Sequence, residues 1–375
     1  MIVGGGRVLT PDGALDDGSV TIDGRLITSI SRRDGTVDVD AGGGWIVPGL
    51  IDLQINGAHG IDVTTQPDRI DELGATLVRY GVTAFVPTVI TCAEPVRRAA
   101  LAAWAARDPA GAPAAAVPLG LHIEGPMLSP ARKGAHPATL LAAPSADMID
   151  GWSPETGVVL ATIAPELPGA IEVITELAVR GVVVSIGHTD GSSADFARAR
   201  AAGARYVTHL FNAMRPFSHR DPGPIGAALA DDDVVVGVIC DGLHVDPIAV
   251  RFAFRALGAA RLNLVTDAVS ALGVGAGAGR LASVAVTIGA DGVRNADGVL
   301  AGSTLSLDRA VRNLIAFTGC EVADAVATVT STPADLLGLA DRGRLVPGRR
   351  ADITVLDGDL CVIATVVGGE VAWRS

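Results

Sequence analysis

A chain of 375 residues in which 49% are apolar and 19% charged can bury a large core, which excludes general disorder. Its 41 acidic side chains outnumber 29 basic ones, and the resulting charge of −12 excludes a broad polyanion-binding surface, because such binding needs clustered cations. No apolar run approaches the roughly 18 residues that a membrane-spanning helix needs, and Met1–Arg7 lack the basic and apolar regions of an export signal.

Residues 1–47 alternate short β-like runs (Gly6–Leu9, Ser19–Ile22, Leu26–Ser29, Thr36–Val39) with the turn pairs Asp12-Gly13, Asp23-Gly24 and Asp34-Gly35. From residue 48 the period changes. Apolar runs at Leu50–Ile55, Val82–Val89, Val117–Ile123, Val158–Ile163, Val182–Ile186, Tyr206–Leu210, Val234–Cys240 and Leu262–Thr266 read as strands buried on both faces. Helix-like segments lie between them, among them Pro67–Tyr80, Pro95–Arg107, Gly169–Arg180, Ser192–Ala202 and Pro247–Leu257. Eight strands alternating with helices predict a (β/α)8 barrel over 48–342, with Gly279–Gly302 as a β-hairpin insertion. A doubly wound open sheet is the competing architecture, but no G-x-G-x-x-G turn follows the first strand. Residues 343–375 return to short strands, so both ends, 1–47 and 343–375, are expected to build one small β-sandwich domain. Cys92, Cys240, Cys320 and Cys361 are widely spaced and form no CxxC pair, which suggests neither a disulfide framework nor a thiolate zinc site; a cytoplasmic protein is expected.

Polar residues interrupt the apolar strands at their carboxyl ends: Gln54 and Asn56, Glu124, His188, His209, Asp241 and His244, and Asp267. On a barrel those ends share the face that carries active sites. Taken alone, a histidine there is most simply hydrogen-bonded structure and an aspartate a helix cap. His122 fits that plain account, and Arg132-Lys133 reads as a solvated loop. One glutamate, two histidines and one aspartate on four different strands instead suggest a shared ligand. Two imidazoles and one carboxylate, Glu124, His188 and His209, suit a catalytic zinc or another divalent ion with one position left for water. Asp267 is placed to take a proton from that water.

The stretches PGLIDLQINGAHG (48–60), LGLHIEGPMLSPARKGAHP (119–137), SIGHTD (185–190), THLFNAM (208–214), CDGLHVD (240–246), LVTDA (264–268), LAGS (300–303) and PGRRADITVLD (347–357) run in order over nearly the whole chain. In them the sequence resembles the N-acetylglucosamine-6-phosphate deacetylase branch of the amidohydrolase superfamily. The last stretch is generic to amidohydrolases, whereas HIEGP with GAHP, HLFNAM and DGLH is specific to the branch. The resemblance implies hydrolysis of the acetamide of a phosphorylated amino sugar to acetate and glucosamine 6-phosphate. Glu124, His188 and His209 match its metal ligands and Asp267 its acid/base. His136 matches the residue that polarises the acetamide carbonyl, with Ala135 beside it. Asn212 and Ala213 match contacts to the sugar phosphate; His244, in the turn Asp241-Gly242-Leu243-His244, and Leu300-Ala301-Gly302 match sugar contacts. Arg220 matches an arginine that reaches the phosphate in a neighbouring subunit, which implies a homodimer; otherwise Arg220 would be a surface ion pair with Asp221. With −12 overall, Arg220 must offset the repulsion of an anionic substrate, helped by His136 and His244 if they are protonated.

Many amidohydrolases carry His-x-His after the first strand, for a second metal. Here Gln54-Ile55-Asn56 stands in that place, and neutral amides are poor divalent ligands, so one ion per subunit is expected. Gln54, Asn56 and nearby His59 remain candidates for an auxiliary ion or for the surroundings of the first. Two other functions compete: a cyclic-amide hydrolase, which would want His-x-His and a bridging lysine carbamate, and a non-catalytic barrel that binds a sugar phosphate. No nucleic acid or membrane partner is expected.

Overall fold

A computed structural model describes residues 1–33, 35–108, 111–112 and 114–375. Eight parallel strands follow one another in the expected order: β1 (Leu50–Ile55), β2 (Val82–Ile90), β3 (Leu121–Glu124), β4 (Val158–Ile163), β5 (Val183–Ile186), β6 (Tyr206–Val207), β7 (Val235–Ile239) and β8 (Leu262–Val265). The ring closes through β8's continuation: the Asp267 amide donates to Gln54 O at 2.9 Å, and Ile55 bridges Ala268. Nearly every strand residue is buried, because helices cover the outside and side chains fill the inside. Phe85, Trp152 and Tyr206 are the bulkiest of the fully buried side chains.

The helices start where local chemistry starts them. Ser192 caps Ser193–Ala201: its Oγ accepts from the Asp195 amide at 3.2 Å while Asp195 Oδ2 accepts from the Ser192 amide at 2.8 Å. The run expected as one strand over Val117–Ile123 is two, Val117–Pro118 and β3, because Gly120 takes φ 141° and lies against Val159, leaving no room for a side chain. The expected hairpin after β8 is a three-stranded meander, Gly277–Leu281, Val284–Gly289 and Gly292–Asn295.

The two ends of the chain share one sheet. Ile353–Leu356 pairs antiparallel with Trp45–Pro48, and the spatial order runs from Glu370–Arg374 through Val362–Val367, Ile353–Leu356, Trp45–Pro48, Ile2–Thr10 and Gly13–Asp23 to Leu26–Arg32. This sheet buries its own core of Val3, Val8, Val20, Ile46, Ile353 and Val366. The turns at Asp12-Gly13 and Asp23-Gly24 join strands as expected, while Asp34 of the Asp34-Gly35 pair lies outside the described residues. Among the described residues, no helix is long and apolar enough to cross a membrane.

Candidate active site

Glu124 is the last residue of β3, His188 and His209 follow β5 and β6, and Asp267 follows β8, all buried. Gly187 lets the chain close in just before His188, since a Cβ there would meet Thr162 and Thr208 at 2.7 and 2.8 Å. His188, His209 and Asp267 adopt φ of 49°, 28° and 47°. Left-handed backbone at a non-glycine residue costs on the order of 1–3 kcal/mol and clusters where surroundings dictate a functional geometry.

Three donor atoms meet at one point. Glu124 Oε1 lies 3.1 Å from His188 Nε2 and 3.0 Å from His209 Nε2, and the two nitrogens are 3.1 Å apart. His188 Nδ1 stands 3.0 Å from the Arg132 carbonyl, which can only accept, so the proton of the neutral ring sits on Nδ1 and Nε2 offers a lone pair. Atoms this close must share a proton or a cation, because the remaining lone pairs and the carboxylate oxygen would otherwise repel one another. Donors about 2.0–2.1 Å from a tetrahedral ion stand about 3.3 Å apart, so the set fits a divalent metal after a small expansion. Among the described residues this is also the one group of histidines, cysteines and carboxylates with metal-ligand spacing.

Burial pushes the Asp267 carboxyl up to about 6, and the Glu124 charge adds to the rise. Burial also opposes ionisation of Glu124, but hydrogen bonds from His188 and His209 outweigh it and hold this carboxyl well below the usual range. For His209 burial acts downward, yet contact with Glu124 leaves it raised. A bound cation would push all of these groups towards their deprotonated forms.

The amides at the end of β1 are donors to both carboxylates. Gln54 Nε2 reaches Glu124 Oε1 at 3.3 Å and Asp267 Oδ1 at 3.2 Å, and Asn56 Nδ2 reaches the same Asp267 oxygen at 2.7 Å. His59 is elsewhere: its ring bonds the Tyr80 hydroxyl at 3.0 Å, away from the Glu124 cluster. His122 lies buried below the site, bonded to Thr88 and Thr162 at 3.3 and 2.7 Å, and burial pushes it down to about 4.

A cavity of about 390 Å³ opens over the cluster. Of the expected substrate contacts, Ala135, Asn212, Ala213, His244, Leu300 and Gly302 line it together with His136 and Asp267. Burial first, then neighbouring His188, pushes His136 down to about 3, so this ring is neutral and supplies no charge to offset an anion. Its Nδ1 accepts from the Thr91 amide at 3.4 Å and contacts the Thr91 hydroxyl at 2.7 Å, which assigns its proton to Nε2. Asp241 sits behind His244: its Oδ2 meets His244 Nδ1 at 2.7 Å, and its Oδ1 takes the amides of Leu243 and His244, both at 2.8 Å. Gly242 and Leu243 thus form the turn that holds His244, and Ala301 is buried with its amide on Val293 O at 2.9 Å. Arg220 is exposed and does not line the cavity; Asp221 pairs with Arg215 instead of with Arg220.

Residues 45–372 match the amidohydrolase family. The N-acetylglucosamine-6-phosphate deacetylase of Rattus norvegicus is 37% identical, with 100% of this chain and 94% of that protein covered. The N-acetylgalactosamine-6-phosphate deacetylase of Escherichia coli O157:H7 is 36% identical over 98% of this chain and 97% of that protein. A solved structure of the Mycobacterium smegmatis N-acetyl-D-glucosamine-6-phosphate deacetylase, an aspartate-to-alanine variant in complex with N-acetyl-D-glucosamine-6-phosphate, superposes with a TM-score of 0.92 at 32% identity, covering 99% of each chain. The chain belongs to the amidohydrolase family.

Two residues of this amidohydrolase site escape a reading of the sequence alone. Thr91, which orients His136, carries a visible signal, being the first polar residue after β2. Arg294 does not. It lines the cavity from the meander, with Nε on Asp291 at 2.9 Å and Nη1 on Gly298 O at 2.7 Å, and nothing in its neighbourhood marks it.

Proposed function

We propose that the protein hydrolyses the acetamide of N-acetyl-D-glucosamine 6-phosphate to D-glucosamine 6-phosphate and acetate. The observation that carries this reading is the convergence of Glu124, His188 and His209 beside Asp267 and His136 in one cavity. The full-length relatives with this activity support the substrate. A divalent ion held by Glu124, His188 and His209, zinc by the character of these donors, would supply Lewis acidity and a lower pKa for the attacking water. Asp267 takes the water's proton on Oδ2, since Oδ1 already accepts two amide hydrogen bonds. The water oxygen bonds to the acetamide carbon, and the His136 Nε2–H donates to the carbonyl oxygen as it becomes negative. When the carbon–nitrogen bond breaks, Asp267 returns the proton to the amine, and acetate leaves.

Residues 48–342 are read as the hydrolase unit, with 1–47 and 343–375 as its small β-domain. Asn212, Ala213 and the Asp241–His244 turn hold the sugar phosphate, with Ala135 and Leu300–Gly302 completing the pocket. Arg220, exposed and without an ion pair among the described residues, is proposed to reach the phosphate in the partner of a homodimer. Gln54 and Asn56 steady the two carboxylates, with one ion per subunit. The proposed place of work is the cytoplasm, consistent with four unpaired cysteines.

The 36% identity to an N-acetylgalactosamine-6-phosphate deacetylase makes the 4-epimer the second reading. Acetate release is to be measured from both 6-phosphorylated sugars, with and without chelator. The expected result is preference for the glucosamine derivative, loss of activity on chelation and recovery with zinc. No acetate from either sugar with the metal-loaded protein would sink the proposal.

A further inference from the structure

A second cavity, of about 460 Å³, lies where the small sheet meets the barrel. Its barrel wall is Val117–Pro118, which pairs with Ala84–Phe85 near the start of β2. It is therefore at the opposite end of the barrel from the catalytic pocket, which sits at the strands' carboxyl ends. Four arginines line it: Arg25 from the turn after Gly13–Asp23, Arg107 from the end of helix Glu94–Ala106, and Arg342 and Arg350 from the segment leading into Ile353–Leu356. In a chain of net charge −12, that is a strong local concentration of cations. Glu370 is the only carboxylate among the described lining residues.

Three of the arginines are held from behind. Arg107 pairs with Asp71 at 2.6 Å, Arg350 Nε contacts both oxygens of Asp352 at 2.8 and 3.0 Å, and Arg342 takes Asp341 through Nε and Nη2 at 3.1 and 3.0 Å. These pairs fix the guanidinium planes without using all their donors. Arg342 is only 9% exposed, yet its buried Nη1 has no hydrogen-bond partner, the nearest carboxylate oxygen being 3.6 Å away on Asp352. Nη1 is held in that ion pair and has no exposed surface of its own, so Arg342 stiffens the wall and leaves ligand contacts to the more accessible guanidinium edges. Arg25 is exposed and makes no ion pair among the described residues. Planar guanidinium forks with free N–H edges match the oxygens of a phosphate. The volume lies within the roughly 300–1,000 Å³ of small-ligand pockets.

We propose that this cavity is a second anion site, which binds the phosphate group of a small phosphorylated metabolite and ties the small sheet to the barrel. The probes are AMP, too unlike an acetamido sugar to serve as substrate, and inorganic phosphate. Binding to the full-length metal-loaded protein would be followed by calorimetry and by the rise in Tm that a ligand of the folded state brings. Saturable AMP binding is expected at millimolar concentrations or below, weakened about ten-fold or more in Arg25→Ala and Arg350→Gln, with kcat for the sugar phosphate within two-fold of the parent. AMP tighter than phosphate supports an ester as the natural ligand; phosphate with no AMP binding supports the anion site with the free ion as its ligand. Arg25→Ala, at an exposed residue, keeps the test decisive if Arg350→Gln unfolds the chain. Binding equally strong in the parent, Arg25→Ala and Arg350→Gln, or no binding of either probe, overturns the proposal.

Discussion

Asp267 accepts from Gln54 and Asn56 on Oδ1, at 3.2 and 2.7 Å, while Oδ2 makes no hydrogen bond among the described residues. Asp267→Asn keeps the size and shape of the side chain but cannot take a proton from water. Acetate release should fall by about two to four orders of magnitude with little change in substrate affinity; near-normal turnover would reduce Asp267 to a structural role. A second carboxyl tests burial in the opposite setting. Asp52 is buried inside β1, and burial pushes it up to about 7, against the downward pull of hydrogen bonds from Thr266 and the Gln54 amide. Because its folded-state pKa lies above the ordinary 3.8, the stability it contributes is fully present below about pH 4 and is lost as pH rises towards 7. When protonated it can donate from Oδ2 to Thr266 Oγ1, 2.6 Å away, and the Thr266 hydroxyl can then donate its hydrogen bond to Gln54 O at 3.3 Å. Asp52→Asn keeps that donor at every pH. Relative to the parent, its Tm should therefore gain by about 2–5 °C between pH 5 and pH 8. A Tm difference that does not change with pH would show that Asp52 does not titrate in this range.

Elements differ in how plainly the sequence announces them. The eight barrel strands were legible because burial on both faces leaves unbroken Val/Ile/Leu runs, and Glu124, His188, His209 and Asp267 stood out as polar endings of such runs. Single positions decide what was not legible. Gly120 breaks an apolar run in two, and β6 is shortened to Tyr206–Val207 although apolar Leu210 lies close beyond it. His59 sits four residues past β1 but turns to Tyr80, a contact between residues 21 apart that no local pattern encodes. The meander after β8 is mostly Gly, Ala and Val, so its strand count and the placement of Arg294 depend on tertiary pairing. Arg294 braces Asp291 and the Gly298 carbonyl beside the cavity wall at Val299–Leu300. Arg294→Ala should loosen that wall, raising KM several-fold and leaving kcat within about two-fold. Steady-state kinetics with both parameters unchanged would remove the meander's arginine from substrate binding.

At the scale of the whole molecule, Arg220 makes a prediction no single subunit can. If it completes a partner's site, Arg220→Ala and Asp267→Asn subunits, each poorly active alone, should regain activity when mixed, because one site of a mixed dimer holds both native residues. No recovery despite demonstrated subunit exchange would confine Arg220 to its own chain. The same scale exposes a consequence of closing one sheet with both chain ends. Trp45–Pro48 finds its partner only when Ile353–Leu356 has been made, 305 residues later. At ribosomal speeds of about 5–20 residues per second, the nascent amino-terminal strands wait roughly 15–60 s with an apolar edge unpaired. For that interval Ile46 and Val47 lack the strand that covers them in the finished sheet, so the small sheet can close only when synthesis is nearly complete.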